Sequence, residues 1–256
     1  MAGEVNVAFA STAYGPMWAP AVSSWLRCVG YTARHFAIDH IGKIGGAGVT
    51  DRQYTHMAEN QLVKDFLDDK SFTHLFMTEM DMVLPYYTIV KLMELDKDMA
   101  SGVYFLRASR PEFLGKPCLY KRPAMLHVNK VEEGNPYAQS QVGLFPTTEP
   151  FRVDCSGVGC VLIKRNVLET LQYPWFDLSA TKYGSDMYFY KHAADAGFEL
   201  WAHPGVLCGQ VDYYETTIDD WKWQMDNNPD FFKQGFIIGF GEKEGRVFDG
   251  HTTSQT

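Results

Sequence analysis

A chain of 256 residues with a net charge of −8 carries 46% hydrophobic and 21% charged side chains. That balance excludes disorder over most of the length, and the length allows one large core or two small ones. Acid exceeds base and Lys and Arg form no cluster, so binding nucleic acid by neutralising its phosphates is disfavoured; a cation would have to offset the repulsion between this chain and any phosphate it handles.

The five cysteines, Cys28, Cys118, Cys155, Cys160 and Cys208, are odd in number and form no CxxC pair. They predict buried free thiols in a reducing compartment rather than a disulfide framework or a zinc knuckle. The sequence has no signal-peptide start and no apolar run of membrane-spanning length. The expectation is a cytoplasmic chain without a membrane span.

Val5 to Ala10 is a short apolar run that breaks at Ser11-Thr12-Ala13-Tyr14-Gly15-Pro16. It predicts a first strand feeding a loop whose Ser11 and Thr12 suit the base or ribose edge of a nucleotide; an ordinary strand-to-helix turn accounts for them as well. Ala19 to Val29 predicts a helix with Val22, Trp25, Leu26 and Val29 on one face, stopped by Gly30. Thr32 to Ile38 reads as a second strand. Gly42, Gly45, Gly46 and Gly48 predict a flexible loop at a spacing that is neither GxGxxG nor a P-loop. Thr50-Asp51-Arg52-Gln53 fits a capping box before a helix that ends near Lys70.

The chain is organised around residues 72 to 85. An apolar strand, Leu75 to Met77, ends in Glu79 and Asp81, and Pro85 follows where a helix can start. Side chains alternate along a strand, so both acids project to one side and can cradle a hard divalent cation. A solvated acidic loop is the commonplace alternative. Met99 to Leu106 is a further strand.

Six prolines between Arg107 and Pro150 (111, 117, 123, 136, 146 and 150) predict hairpin strands and a long flap-like loop within one domain spanning 1–256. Val153 to Gly159 leads into the apolar run Cys160 to Ile163. Its two glycines allow close backbone approach to a ligand, or form a tight turn. Asn166 opens a short helix, and Tyr173 to Asp177 is a turn that includes Trp175. Gly184-Ser185-Asp186 starts a helix closed by Gly197. Asp186 can act as a general base or simply complement the helix dipole, with Ser185 as the cap. Phe198 to Ala202 reads as a strand ending at His203-Pro204. In the acidic, aromatic extension 212–256, Trp221 and Trp223 share no helical face, which points to a strand or a loop lid able to stack on a sugar; core packing accounts for the rings equally well.

Strands and helices alternate through the first hundred residues. This predicts an α/β fold, a mostly parallel central sheet flanked by helices with a small antiparallel extension. Ligands in such sheets sit beyond the carboxyl ends of the strands, where Glu79 and Asp81 fall.

The ordered segments EMDMVLP at 79–85, SGVGCVLIKRNVLETL at 156–171 and GSDMYFYKHAADAGFELWAHP at 184–204 resemble glycosyltransferases of the GT-A fold. The likeness is strongest to short single-domain bacterial and phage-type members and runs from about Val5 to Val211. It implies that Glu79 and Asp81 occupy the acidic positions of a DxD motif and bind Mn²⁺ or Mg²⁺ with the donor diphosphate, with Met80 between them. It implies that Ser156 to Lys164, including Gly157, lines the pocket. Asp186 then matches the base of inverting members, and Ser185 stands where their motif has Glu. Gln210 stands where many relatives have a third, histidine ligand, and Glu59-Asn60 replaces an Arg-Asn pair. The expected donor contacts are Ser11, Thr12, Asn60, Met80 and Gly157, with Trp175 and Ser185 toward the acceptor. The implied function is a metal-dependent transfer of a sugar from a nucleotide-diphosphate donor to the hydroxyl of a glycan or other acceptor. A non-catalytic nucleotide-sugar or glycan binder is the alternative. A sugar-phosphate nucleotidyltransferase ranks last, because Ser11 to Pro16 lacks a basic triphosphate loop.

Overall fold

The computed structural model describes residues 4–39, 42–106, 122–128, 139–141, 144–179, 184–211, 215–216, 218–227 and 236–238. The chain begins β1 (Val5–Ala13), α1 (Ala19–Asp39), β2 (Gly42–Asp51), α2 (Thr55–Asp68), β3 (His74–Glu79), β4 (Met82–Val83), α3 (Thr88–Glu94) and β5 (Met99–Val103). Short strands follow: β6 (Phe105–Leu106), β7 (Arg122–Pro123), β8 (Met125–Val128), β9 (Gln139–Gln141), β10 (Phe151–Val153) and β11 (Cys155–Ser156). The rest is β12 (Cys160–Lys164), α4 (Arg165–Thr170), α5 (Ser185–Asp195), β13 (Leu200–Leu207), β14 (Gly209–Val211), β15 (Glu215–Thr216), α6 (Ile218–Asn227) and β16 (Phe236–Ile238).

Seven strands make the central sheet in the order β10-β13-β5-β12-β3-β1-β2. Five of them run one way; β12 runs against β3 and β5, and β10 against β13. The mostly parallel α/β sheet expected from the sequence is therefore present. The antiparallel extension is the sheet β11-β8-β9-β16, which includes hairpin strands from the proline-rich region. Cys118 and most of the predicted flap lie outside the described residues.

Alternation along β3 divides the core. Leu75 and Met77 join a cluster with Leu62, Phe66 and Phe189 on one face, while Phe76 joins Trp25, Phe36 and Ile89 on the other. Burying each such side chain stabilises the fold by about 1.5–3 kcal/mol.

Four local expectations are corrected. Residues 32–38 are helix rather than strand, and Gly30 does not stop α1. Ala21, Trp25, Cys28, Thr32 and Phe36 form one continuous buried stripe, and Thr32 Oγ1 returns a 2.8 Å hydrogen bond to the Cys28 carbonyl. That burial outweighs the glycine's cost of about 1 kcal/mol. The glycine-rich loop is instead strand β2, laid closely on β1: a Cβ at Gly42 would sit 1.6 Å from the Val5 carbonyl oxygen. The capping box is not formed. Thr50 and Asp51 end β2, and α2 starts at Thr55 without a side-chain cap. Trp221 lies in α6, buried against Phe145 and Phe105 with ring centroids 4.8 and 5.9 Å away, so it is core rather than lid. The side chain of Trp223 lies outside the described residues.

Candidate active site

β1 and β3 run parallel with Thr12 level with Glu79, and the Met80 amide donates to the Thr12 carbonyl at 3.1 Å. The two strands thus deliver the acidic turn to the carboxyl edge of the sheet. The turn is held from two other sides. β14 pairs antiparallel with β4, placing Gln210 opposite Met82, and the Val211 amide donates to the Asp81 carbonyl at 2.8 Å. From α1, Trp25 Nε1 donates to the Met82 carbonyl at 2.9 Å, and Ser24 Oγ accepts from the Leu84 amide at 2.9 Å. A cleft of about 200 Å³ opens there, lined by Thr12, Tyr14, Gln53, Glu79, Met80 and Asp81 among others. The Tyr14 amide donates to Met80 Sδ at 3.2 Å, tying the β1 loop to the acidic turn.

Asp81 is 3% and Gln210 5% exposed. Gln210 Nε2 donates to Asp81 Oδ2 at 3.4 Å, while Gln210 Oε1 is buried with no hydrogen-bond partner among the described residues. A buried amide oxygen left without a partner costs about 1–3 kcal/mol. The described residues hold no group of three His, Cys, Asp or Glu side chains with metal-binding geometry. The donor set on offer is two carboxylates and one amide oxygen, which fits a hard, oxygen-seeking divalent cation and not a soft one.

A second group faces this turn from α5. Ser185 Oγ donates to Glu59 Oε2 at 2.7 Å, and Asp186 Oδ1 accepts from the Met187 amide at 2.8 Å. Gly184 precedes them at φ +123, and a Cβ there would lie 2.5 Å from Asp186 Oδ1. Gly157 is needed for the same reason of space: a Cβ would meet Tyr104 Oη at 2.0 Å and Asp186 Oδ2 at 3.8 Å. Tyr104 Oη accepts from the Gly159 amide at 3.2 Å.

Burial pushes the Asp186 carboxyl up to about 6, against the opposing pull of its backbone hydrogen bonds. Burial also pushes Glu59 up to about 8, opposed by the Ser185 hydrogen bond and assisted by the charges of Asp186 and Glu79. The Tyr104 phenol is raised mainly by burial, and the charges of Glu79 and Asp186 add to it. Glu59 and Tyr104 therefore both feel the charges of Glu79 and Asp186, which places the two groups in one electrostatic site.

Thr12, Met80, Glu79 and Asp81 line the cleft, Gln210 adjoins Asp81, and Gly157, Ser185 and Asp186 cluster around Tyr104 and Glu59. Three other predicted residues are engaged elsewhere. Ser11 is fully buried within β1. Asn60 Oδ1 accepts from the Trp175 and Phe176 amides, and its Nδ2 donates to the His56 and Phe176 carbonyls. Trp175 Nε1 donates to the Leu168 carbonyl at 3.0 Å. Asn60 and Trp175 thus build the turn at 173–177. Sequence reasoning missed Tyr104, whose one signal is its place just past the carboxyl end of β5. It noted Glu59 only as a departure from the resembled pattern.

No family model and no curated protein matches the chain. Among solved structures, A197 from STIV superposes over 96% of this chain and 100% of its own, with a TM-score of 0.53 at 15% identity. GalNAc-T7, solved with UDP, GalNAc and Mn²⁺, superposes over 91% of this chain and 50% of its own, with a TM-score of 0.50 at 12% identity. The chain thus spans half the length of that protein. At such identities the likeness concerns the fold, and the fold is GT-A-like. Among the described residues, no helix is long and apolar enough to cross a membrane.

Proposed function

We propose that this chain is a metal-dependent glycosyltransferase that moves a sugar from a nucleoside-diphosphate donor to an acceptor hydroxyl on a glycan or another molecule. The observation that carries the reading is the orphaned Gln210 oxygen beside Asp81 on the acidic turn, with Asp186 acting on the same neighbours as Glu79. Glu79, Asp81 and Gln210 would hold Mn²⁺ or Mg²⁺. When bound, the ion supplies Lewis-acid stabilisation of the charge that collects on the departing diphosphate.

The chain's own residues do the rest. Thr12, Tyr14 and Met80 form the cleft wall that receives the nucleoside. In an inverting transfer, Asp186 takes the proton from the attacking hydroxyl at Oδ2, since Oδ1 is committed to the Met187 amide. The Gly159 amide donates to the Tyr104 hydroxyl, which leaves that hydroxyl's own proton for another acceptor. Tyr104, Cys155 and Tyr190, all buried, lie close enough to feel the Asp186 charge and would limit the water that reaches it.

The test is release of nucleoside diphosphate from a panel of nucleotide sugars, with Mn²⁺ or with Mg²⁺. Activity is expected to vanish with a chelator and in Asp81→Asn; turnover unchanged by either would remove the metal role. One observation favours a second reading, a protein of the same fold that binds a nucleotide sugar or glycan without turnover. Gln210 brings a neutral oxygen, a weaker contribution than a third charged or imidazole ligand. Calorimetry that finds tight donor binding, alongside no product from any donor, would select that reading.

A further inference from the structure

α2 carries a carboxylic acid into the interior at Glu59, 1% exposed and without an ion pair among the described residues. An apolar side chain of similar size would be less costly there, so the acid needs a reason. Its hydrogen-bond partner is Ser185 Oγ at 2.7 Å, 126 residues further along the chain. Ser185 is the first residue of α5, after Gly184 at the N-cap, so it is not the cap expected from the sequence, and among the described residues its hydroxyl makes no bond to the first-turn amides. Here it reaches across to another helix instead.

Met187, Phe189 and Tyr190 anchor α5 by burial, and the Ser185–Glu59 bond adds a polar tie at its first turn. Gly184, at the N-cap position with φ +123, has no side chain to offer. Asp186 uses Oδ1 on the Met187 amide, which leaves Oδ2 as the oxygen facing Gly157 and Tyr104.

We propose that Glu59 is a positioning residue: by holding Ser185 Oγ from α2, it fixes the first turn of α5 so that Asp186 Oδ2 stays turned toward Gly157 and Tyr104. The proposal rests on the reading of Asp186 as the base of a sugar transfer. The groups that act on Glu59 are Asp186 and Ser185 from α5 and Glu79 from β3. With burial and both neighbouring acids holding its proton at neutral pH, Glu59 sits near the base without adding a like charge to it. An aligned general base loses rate steeply when displaced, by up to about 100-fold for a shift of about 1 Å.

The experiment compares the full chain with Glu59→Ala, Ser185→Ala, the double variant and Glu59→Gln, measuring kcat and donor KM over the nucleotide-sugar panel with Mn²⁺. Thermal midpoints are followed alongside. Each alanine variant is expected to lose about tenfold or more in kcat, with donor KM within about twofold of the parent. The double variant should fall no further than either single one, because both delete the same bond. Glu59→Gln keeps an acceptor oxygen and should restore most of kcat. If Glu59→Ala does not fold, Ser185→Ala removes one hydroxyl and reads the same bond. Two alanine variants as fast as the parent, or a Glu59→Gln protein as slow as Glu59→Ala, would overturn the positioning role and leave the transferase reading standing. A parent chain inactive with every donor would overturn both.

Discussion

The Glu59 carboxyl makes a prediction about stability that needs no substrate. Burial raises it from an ordinary value of 4.5 to about 8 in the folded chain, with Asp186 and Glu79 adding to the shift. Between those two values the folded state keeps the proton and the unfolded state has lost it. Stability contributed by the protonated acid is therefore complete below pH 4.5, declines as pH rises and is gone by about pH 8. The slope is about 1.4 kcal/mol per pH unit, or about 4 kcal/mol between pH 5 and 8. Glu59→Gln cannot titrate, while Asp186 titrates in both proteins, so the difference between the two isolates Glu59. Urea unfolding at pH 5, 6, 7 and 8 in the presence of a chelator measures it, with near-equal stabilities expected at low pH and a variant that is progressively the more stable toward pH 8. Parallel stability curves for the two proteins would refute the argument, because they would mean that Glu59 is solvated or paired in the folded chain.

Three further outcomes are expected. Asp186 must be ionised to accept a proton, so kcat/KM should rise with pH through about 6 and level off above it, and Asp186→Asn should lose about 10²–10⁴ in rate and flatten the profile. Gly157→Ala would place a methyl 2.0 Å from Tyr104 Oη; relieving that overlap costs about 1–3 kcal/mol, seen as a lower urea midpoint, and moves the tyrosine off the Gly159 amide. Trp221→Ala should cost about 3–5 kcal/mol of stability by emptying its stack on Phe145 and Phe105 while donor KM stays within about twofold. A large rise in donor KM with stability intact would restore the lid reading of that residue.

What could be read from the sequence was local. The Leu75–Met77 run, its two acids and the proline after them sit within a dozen residues, but β3 ends at Glu79 and Asp81 lies in the turn before β4, so the alternation expected to set both acids on one side does not reach Asp81. Gly197 closes α5 as expected, its amide donating to the Ala194 carbonyl. The errors came where distant chain decides. Nothing near Gly42 or Gly45 announces that Val5 and Phe72 will lie against them and turn a flexible segment into an edge strand. Gly30 reads as a stop until the stripe from Ala21 to Phe36 is seen to be buried along its whole length. In the site, Glu79 and Asp81 were legible as neighbours, and Asp186 as a helix-start acid. The Glu59–Ser185 bond and the place of Tyr104 beneath Gly157 depend on elements that meet only in the folded chain.

The pairing of β14 with β4 makes the cleft a place where two remote parts of the chain are joined, since Gln210 meets Asp81 across 129 residues. Any ligand that bridges those two side chains is thermodynamically linked to the docking of 209–211 on 82–83, and linkage runs both ways. Occupancy of the cleft should thus protect the β14 amides from hydrogen exchange, and substitutions that loosen β14 should weaken occupancy by the same free energy.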